Sequence, residues 1–158
     1  MESDKLADYI AKYHGTLFRL AYSYLKNSHD SEDITQEAFL RLYCSEIHFE
    51  TDENVKAWLI RVTINLCKDA LKSVWFKGRS ELSDNIPYEN KSESVIMDCI
   101  RRLKPEYRGI ILLYYYEGYS TKEIAEICRI SRTLATTRLS RARKKLKNLL
   151  LKEGYYEK

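Results

Sequence analysis

Residues 120–147 read STKEIAEICRISRTLATTRLSRARKKLK. Ser120 stands three residues before Glu123, the spacing of a capping box, so a helix is expected to start there. Ile124, Ala125 and Ile127 give that helix a short apolar face. Cys128, Arg129 and Ile130 make a brief connection, and Ser131 can cap a second helix. In that second helix Leu134, Ala135, Leu139, Ala142 and Leu146 recur at helical spacing. Arg132, Arg138, Arg141, Arg143, Lys144, Lys145 and Lys147 are spread around the remainder. A short helix, a tight turn and a basic second helix form a helix-turn-helix, the arrangement that sets its second helix in the major groove of DNA. A surface hairpin with a solvated basic face is the plainer alternative. The agreement of caps, turn length and basic excess favours DNA.

The charge distribution points the same way. The chain has 158 residues and a net charge of +4. Residues 1–73 carry 9 basic and 12 acidic residues, whereas residues 95–158 carry 15 and 7. A basic half suits a polyanion; the slightly acidic half suits a protein partner at least as well. With 44% hydrophobic residues, 5 glycines and 2 prolines, the chain can build helical cores with few interruptions. Its four cysteines and three histidines are scattered, with no CxxC or Cys/His pair, so free and mostly buried thiols are expected, with no metal site and no cofactor. The start, MESDKLADYIAKYHG, lacks a basic segment followed by an apolar core, and no apolar run is long enough to span a bilayer. A cytoplasmic protein that is not integral to a membrane is the expectation.

Working outward, apolar residues from Leu6 to Leu25 predict an amphipathic helix over residues 4–26, with a bend allowed at Gly15 and a close at Asn27, Ser28 and His29. A second helix is predicted from Asp30 or Ser31 through Tyr43, with Ile34, Ala38, Phe39, Leu42 and Tyr43 on its apolar side. Residues 47–54 read as a loop, and Val55, Trp58, Leu59, Val62, Leu66, Ala70 and Leu71 mark a third helix reaching Val74. From residue 76 to 94 the periodicity fails in KGRSELSDNIPYENKSES, which reads as a flexible linker. Val95 restarts a helix, Pro105 opens another, and Gly118 ends it. Residues 110–116 are ambiguous between strand and helix, with their neighbours favouring helix. The fold class is therefore all-α: two small helical domains, 1–75 and 95–158, joined by a flexible linker at 76–94, the C-terminal one a helix-turn-helix.

With these segments in place, the chain resembles an extracytoplasmic-function sigma factor of the sigma-70 family. Four blocks carry the likeness: AYSYLKNSHDSEDITQEAFLRLY (21–43), VKAWLIRVTINLCKDAL (55–71), LKPEYRGIILLYYYEGYSTKEIAEI (103–127) and TTRLSRARKKLK (136–147). The resemblance implies that the first module is region 2 and the second region 4, with no region 3 between them. It implies a non-enzymatic specificity subunit that binds bacterial RNA polymerase core, directs it to promoter DNA and helps open the duplex. The resemblance further implies no small-molecule substrate and an anti-sigma factor as partner, since such factors are commonly held inactive by one. A stand-alone helix-turn-helix regulator is the competing class, but a sensor has no need of the first two blocks.

The resemblance also assigns residues. Asp33, Gln36, Glu37, Phe39 and Arg41 match positions that dock on the polymerase clamp, although Phe39 is equally readable as a core ring. Residues 50–56 and the helix after them match the minus-10 reader, with Trp58, Arg61, Asn65 and Lys68 at its helix positions. For Trp58 a core role is the commoner one for a ring beside Leu59 and Val62. Arg132, Thr133, Thr136, Thr137, Arg138 and Arg141 fall in the minus-35 reader, with Arg143, Lys144 and Lys145 left as general phosphate screens. Here the chain departs from the family pattern of Gly-Thr-Val, a basic residue and Ser-Arg-Leu. Its Thr133 and Thr136 replace the glycine and the basic residue.

Overall fold

The computed structural model describes residues 1–73 and 91–154. It divides the chain into two compact units, Met1–Ser83 and Asp84–Lys158. Every regular element among the described residues is helical.

The first unit packs three helices, α1 (Ser3–Leu25), α2 (Ser28–Cys44) and α3 (Asp52–Lys72), all in mutual contact. Their apolar stripes meet in a core that includes Leu17, Ala38, Leu42, Val55, Leu59 and Ile60. Polar residues inside it are served by their own helices. Ser31 Oγ donates to Asn27 O at 2.6 Å, Thr35 Oγ1 to Ser31 O at 2.7 Å and Thr63 Oγ1 to Leu59 O at 2.8 Å. No buried hydroxyl in that set needs a partner from another helix. Between α1 and α2, His14 Nε2 lies 3.0 Å from both carboxylate oxygens of Glu32.

Two expected boundaries shift, and the bend allowed at Gly15 does not form. Helix α1 runs unbroken through Gly15. Lys26 adopts the left-handed conformation (φ 63°) that ends α1, and Asn27 opens α2 instead of closing α1: its side chain accepts from Asp30 N at 2.8 Å. Asn is a strong N-cap, and one residue in αL is enough to reverse the chain. Likewise Thr51 accepts from Asn54 N at 3.1 Å and starts α3 at Asp52, so the last three residues of the expected 47–54 loop are helix.

The second unit comprises α4 (Lys91–Arg101), α5 (Pro105–Ile111), a π-helical turn Leu112–Tyr116, α6 (Thr121–Cys128) and α7 (Arg132–Lys152). The linker expected at 76–94 lies outside the described residues up to 90. Its last four residues, however, begin α4. Lys, Ser and Glu lack an apolar period that would reveal a helix, yet they tolerate one well. The ambiguous stretch 110–116 is helical throughout, and its π turn is closed by Glu117 N to Leu112 O at 3.0 Å. The wider turn leaves Tyr115 and Tyr116 on the surface behind a buried Leu112 and Leu113.

Arg108 fixes the corner between α4 and α5. It is buried, and its Nη1 donates to Arg101 O at 3.0 Å and Leu103 O at 2.9 Å. These are carbonyls at and beyond the end of α4, where the helix offers no partner. Arg108→Met keeps an unbranched apolar stem and removes the donors. It should destabilise the protein by about 1–3 kcal/mol, read as an earlier urea midpoint; an unchanged midpoint would mean that water satisfies those carbonyls.

Candidate nucleic-acid interface

The helix-turn-helix is built from local chemistry. Ser120 Oγ accepts from Glu123 N at 3.1 Å, and Glu123 Oε1 accepts from Ser120 N at 3.0 Å, completing the capping box. The backbone N–H of Ser120, and after it the Ser120 hydroxyl, hold the Glu123 carboxyl below its ordinary pKa. Arg129 ends α6 in the left-handed conformation (φ 56°), and Ser131 Oγ then accepts from Leu134 N at 3.0 Å to start α7.

Helix α7 buries Ala135, Leu139, Ala142 and Leu150. Opposite that stripe Arg132, Thr133, Thr136, Ser140, Arg141 and Lys144 are exposed, with Thr137 and Arg138 half-buried at the margin. Thr136 Oγ1 donates to Arg132 O at 2.9 Å, so its hydroxyl hydrogen is used within the helix and its methyl is left to face outward contacts. The basic residues further along are not equivalent. The Arg143 guanidinium lies 5.9 Å from the Tyr114 ring and 5.7 Å from the Tyr115 ring, and Lys145 lies 5.3 Å from the Tyr107 ring. Both cations sit over aromatic faces of α5 and the π turn. Leu134 breaks the expected pattern: the sequence put it in the buried stripe, but it is 38% exposed at the start of α7. Its neighbour Ala135 takes the inward position.

In the first unit, α2 exposes Asp33 and Gln36, while Glu37 and Arg41 pair at 3.2 Å across one turn. Phe39 is buried, so of its two readings the structure selects the core ring and removes it from the exposed set. The large exposed apolar residues of this face are instead Leu40 and Tyr43, followed by Ile47 in the loop. On α3, Asn65 is exposed and Arg61 and Lys68 are half-buried. Trp58 is half-buried, and its ring meets Phe49 edge-on at 5.8 Å, so it braces the 45–51 loop where a core ring was expected.

Asp52, inside the 50–56 segment that resembles the minus-10 reader, is engaged with α1. Its Oδ1 accepts from Tyr9 Oη at 3.1 Å, its Oδ2 pairs with Lys12 Nζ at 3.3 Å, and its carbonyl accepts from Tyr13 Oη at 3.2 Å. The first turn of α3, and with it the end of the loop, is thus tied to α1. The Tyr9 hydrogen bond and Lys12 hold the Asp52 carboxyl below its ordinary value of 3.8. Burial and the same carboxylate raise the Tyr9 phenol, and the Asp52 contact raises Lys12.

Residues 9–76 match the family model for sigma-70 region 2, and residues 94–146 match that for sigma-70 region 4. Across both, the chain is 30% identical to the ECF RNA polymerase sigma factor SigW of Bacillus subtilis, covering 94% of this chain and 90% of that one. The chain belongs to the ECF sigma factor family. It is also 29% identical to the ECF sigma factor SigE of Mycolicibacterium smegmatis over 93% of its own length, but spans only 62% of that protein. Among solved structures, the sigma factor RpoE of Bartonella quintana, crystallised with the anti-sigma factor NepR, shares the fold at a TM-score of 0.74 and 21% identity, over 92% of this chain and 96% of that one. CnrH, solved with the cytosolic domain of CnrY, shares it at 0.69 and 22%, over 94% and 89%.

Other groups in this sigma factor have ordinary structural explanations. His29, Asp30 and Asp33 cluster at the start of α2, but Asp30 accepts from Asn27 Nδ2 at 2.8 Å and Asp33 pairs with His29 at 3.4 Å. All four cysteines are free; Cys67 and Cys99 are buried, whereas Cys44 is exposed. No described helix is long and apolar enough to cross a membrane.

Because the folded state holds Asp52 ionised to lower pH than the unfolded chain does, its contribution is complete above the ordinary carboxylate pKa and is lost as pH falls through the depressed one. Asp52→Asn should therefore flatten the dependence of unfolding midpoint on pH below 3.8 relative to wild type; parallel profiles for the two proteins would exclude the pairing.

Proposed function

We propose that this chain is a dissociable specificity subunit that binds bacterial RNA polymerase core and directs it to a subset of promoters, without catalysing a reaction itself. The observation that carries the reading is the match of region 2 and region 4 in one chain, in order, along almost the whole length of an ECF sigma factor. A stand-alone regulator would need the helix-turn-helix alone.

In this reading residues 1–75 hold core polymerase and the minus-10 element, 76–94 connect, and 95–158 hold the minus-35 element. The exposed side of α2 docks on core. Asp33, Gln36, Glu37 and Arg41 supply polar contacts, and Leu40 and Tyr43 supply the apolar anchor first assigned to Phe39. Arg61, Asn65 and Lys68 of α3 hold the opened minus-10 strand, with Trp58 and Phe49 as aromatic surfaces beside it. In the second unit Arg132, Thr133, Thr136 and Thr137 approach base edges, and Arg138 and Arg141 meet phosphate or guanine. Arg143 and Lys145, held over tyrosine rings, contribute to the field more than to direct contacts.

The partners named with the two structural neighbours suggest an anti-sigma factor for this chain as well. A largely apolar groove of about 890 Å³ in the second unit, lined by Ile96, Ile100, Ile111 and Leu150 together with Arg143 and Lys147, is suited to an amphipathic partner helix. Expression in the cytoplasm, where core polymerase and promoters are found, follows from the proposed role.

Purified protein added to core polymerase should start transcription at a subset of genomic promoter fragments, with neither component sufficient alone. Non-selective or absent initiation across such a set would sink the proposal. Leu40→Ala should weaken core binding about tenfold while leaving binding to an isolated minus-35 duplex intact. Loss of both together would place Leu40 in folding.

A further inference from the structure

The first turn of α7 exposes a large apolar side chain where the sequence period had hidden it. Leu134 lies in the first turn of α7 and is 38% exposed. Ser131 caps that turn through the backbone N–H of Leu134 itself, so the residue's position is set by a hydrogen bond at 3.0 Å. Leu134, Arg138 and Arg141, spaced four and three apart, line one edge of the outward face. An apolar group at the head of a basic edge suits a polyanion that also carries an apolar substituent. Duplex DNA carries one in its major groove, the C5 methyl of thymine. Thr136 adds a second apolar group across the same face, since its hydroxyl hydrogen is held by Arg132 O.

Resting on the promoter-factor reading, we infer that Leu134 is a specificity-determining residue that packs on the C5 methyl of a thymine in the minus-35 element. Arg138 and Arg141 anchor phosphates on the same side and set the register in which Leu134 meets that base. Thymine is selected here by shape and desolvation, with no hydrogen bond from Leu134. The contact discriminates against cytosine, which has the same pyrimidine edge position but no methyl.

The test uses the full chain with core polymerase on a promoter it initiates from, with each minus-35 thymine replaced in turn by 2′-deoxyuridine. That base keeps its pairing and loses only the methyl. Replacement at one position should weaken wild-type binding about fourfold, the effect of one methyl group losing its burial. Leu134→Ala should weaken binding to the unmodified duplex by a similar factor and should no longer distinguish thymine from deoxyuridine at that position. Alanine is the better helix former and Leu134 is not core, so the variant keeps its fold, which its thermal melt would register. Indifference of the wild type to deoxyuridine at every position overturns the inference, as does a Leu134→Ala variant that keeps the full deoxyuridine effect. Loss of core binding by Leu134→Ala overturns it too. Failure to initiate selectively at any promoter overturns the promoter-factor reading; selective initiation with no methyl effect overturns this inference alone.

Discussion

Helix α7 carries seven of the chain's basic residues between Arg132 and Lys147, yet it is held by a narrow inward stripe of Ala135, Leu139, Ala142 and Leu150. Two of those residues are alanines with no exposed surface. A small side chain buries little apolar area, so the attachment depends on close approach of α7 to α5 and α6 rather than on bulk. That closeness leaves most of the circumference of α7 free and fixes which residues face outward. The same economy holds in the first unit, where Ala38 lies fully buried between Thr35 and Leu42 while Gln36, Leu40 and Arg41 stay outside. In both units a working surface exists because the inward stripe is narrow and well packed.

The two units also share a way of keeping polar groups out of trouble. Ser31, Thr35 and Thr63 turn their hydroxyls onto the preceding turn of their own helices. Arg108 does the equivalent across a corner, serving the carbonyls at the end of α4. Asp52 differs, because it joins elements far apart in sequence. Tyr9, Lys12 and Tyr13 of α1 all reach the first residue of α3. The consequence is positional: the 45–51 loop is anchored at its far end by α1, while Phe49 within it rests against Trp58. The loop beside the proposed minus-10 surface is thereby given a defined exit and an aromatic support.

The tyrosines of the second unit link its fold to its charge. The π turn at Leu112–Tyr116 rotates Tyr115 and Tyr116 to the surface, and Tyr114 and Tyr115 then receive Arg143. Two cations of α7 are thus committed to holding the helix against the unit, leaving Arg138, Arg141 and Lys144 on the outward side. A basic helix therefore divides its charges between attachment and proposed recognition.

Much of this was legible in the chain itself. Capping pairs such as Ser120 with Glu123, and apolar recurrence such as Val55, Leu59 and Ile60, are local in sequence, and local signals specify helices and their order. The ordered blocks of the sigma-70 pattern also lie in the sequence, and they carried the family. What periodicity could not decide was which member of an adjacent pair turns inward. Leu134 and Ala135 both fit the apolar period, and only the packing of α7 on its neighbours selected Ala135; at Phe39 the period and the family match gave different readings, and burial selected the core one. Nor could periodicity see Asp52 paired with Tyr9, because 43 residues separate them. The sequence by itself determined the helices, their order and the family. The tertiary structure alone decided which side chains remain outside to act, because burial depends on the surface opposite, and that surface comes from a distant part of the chain.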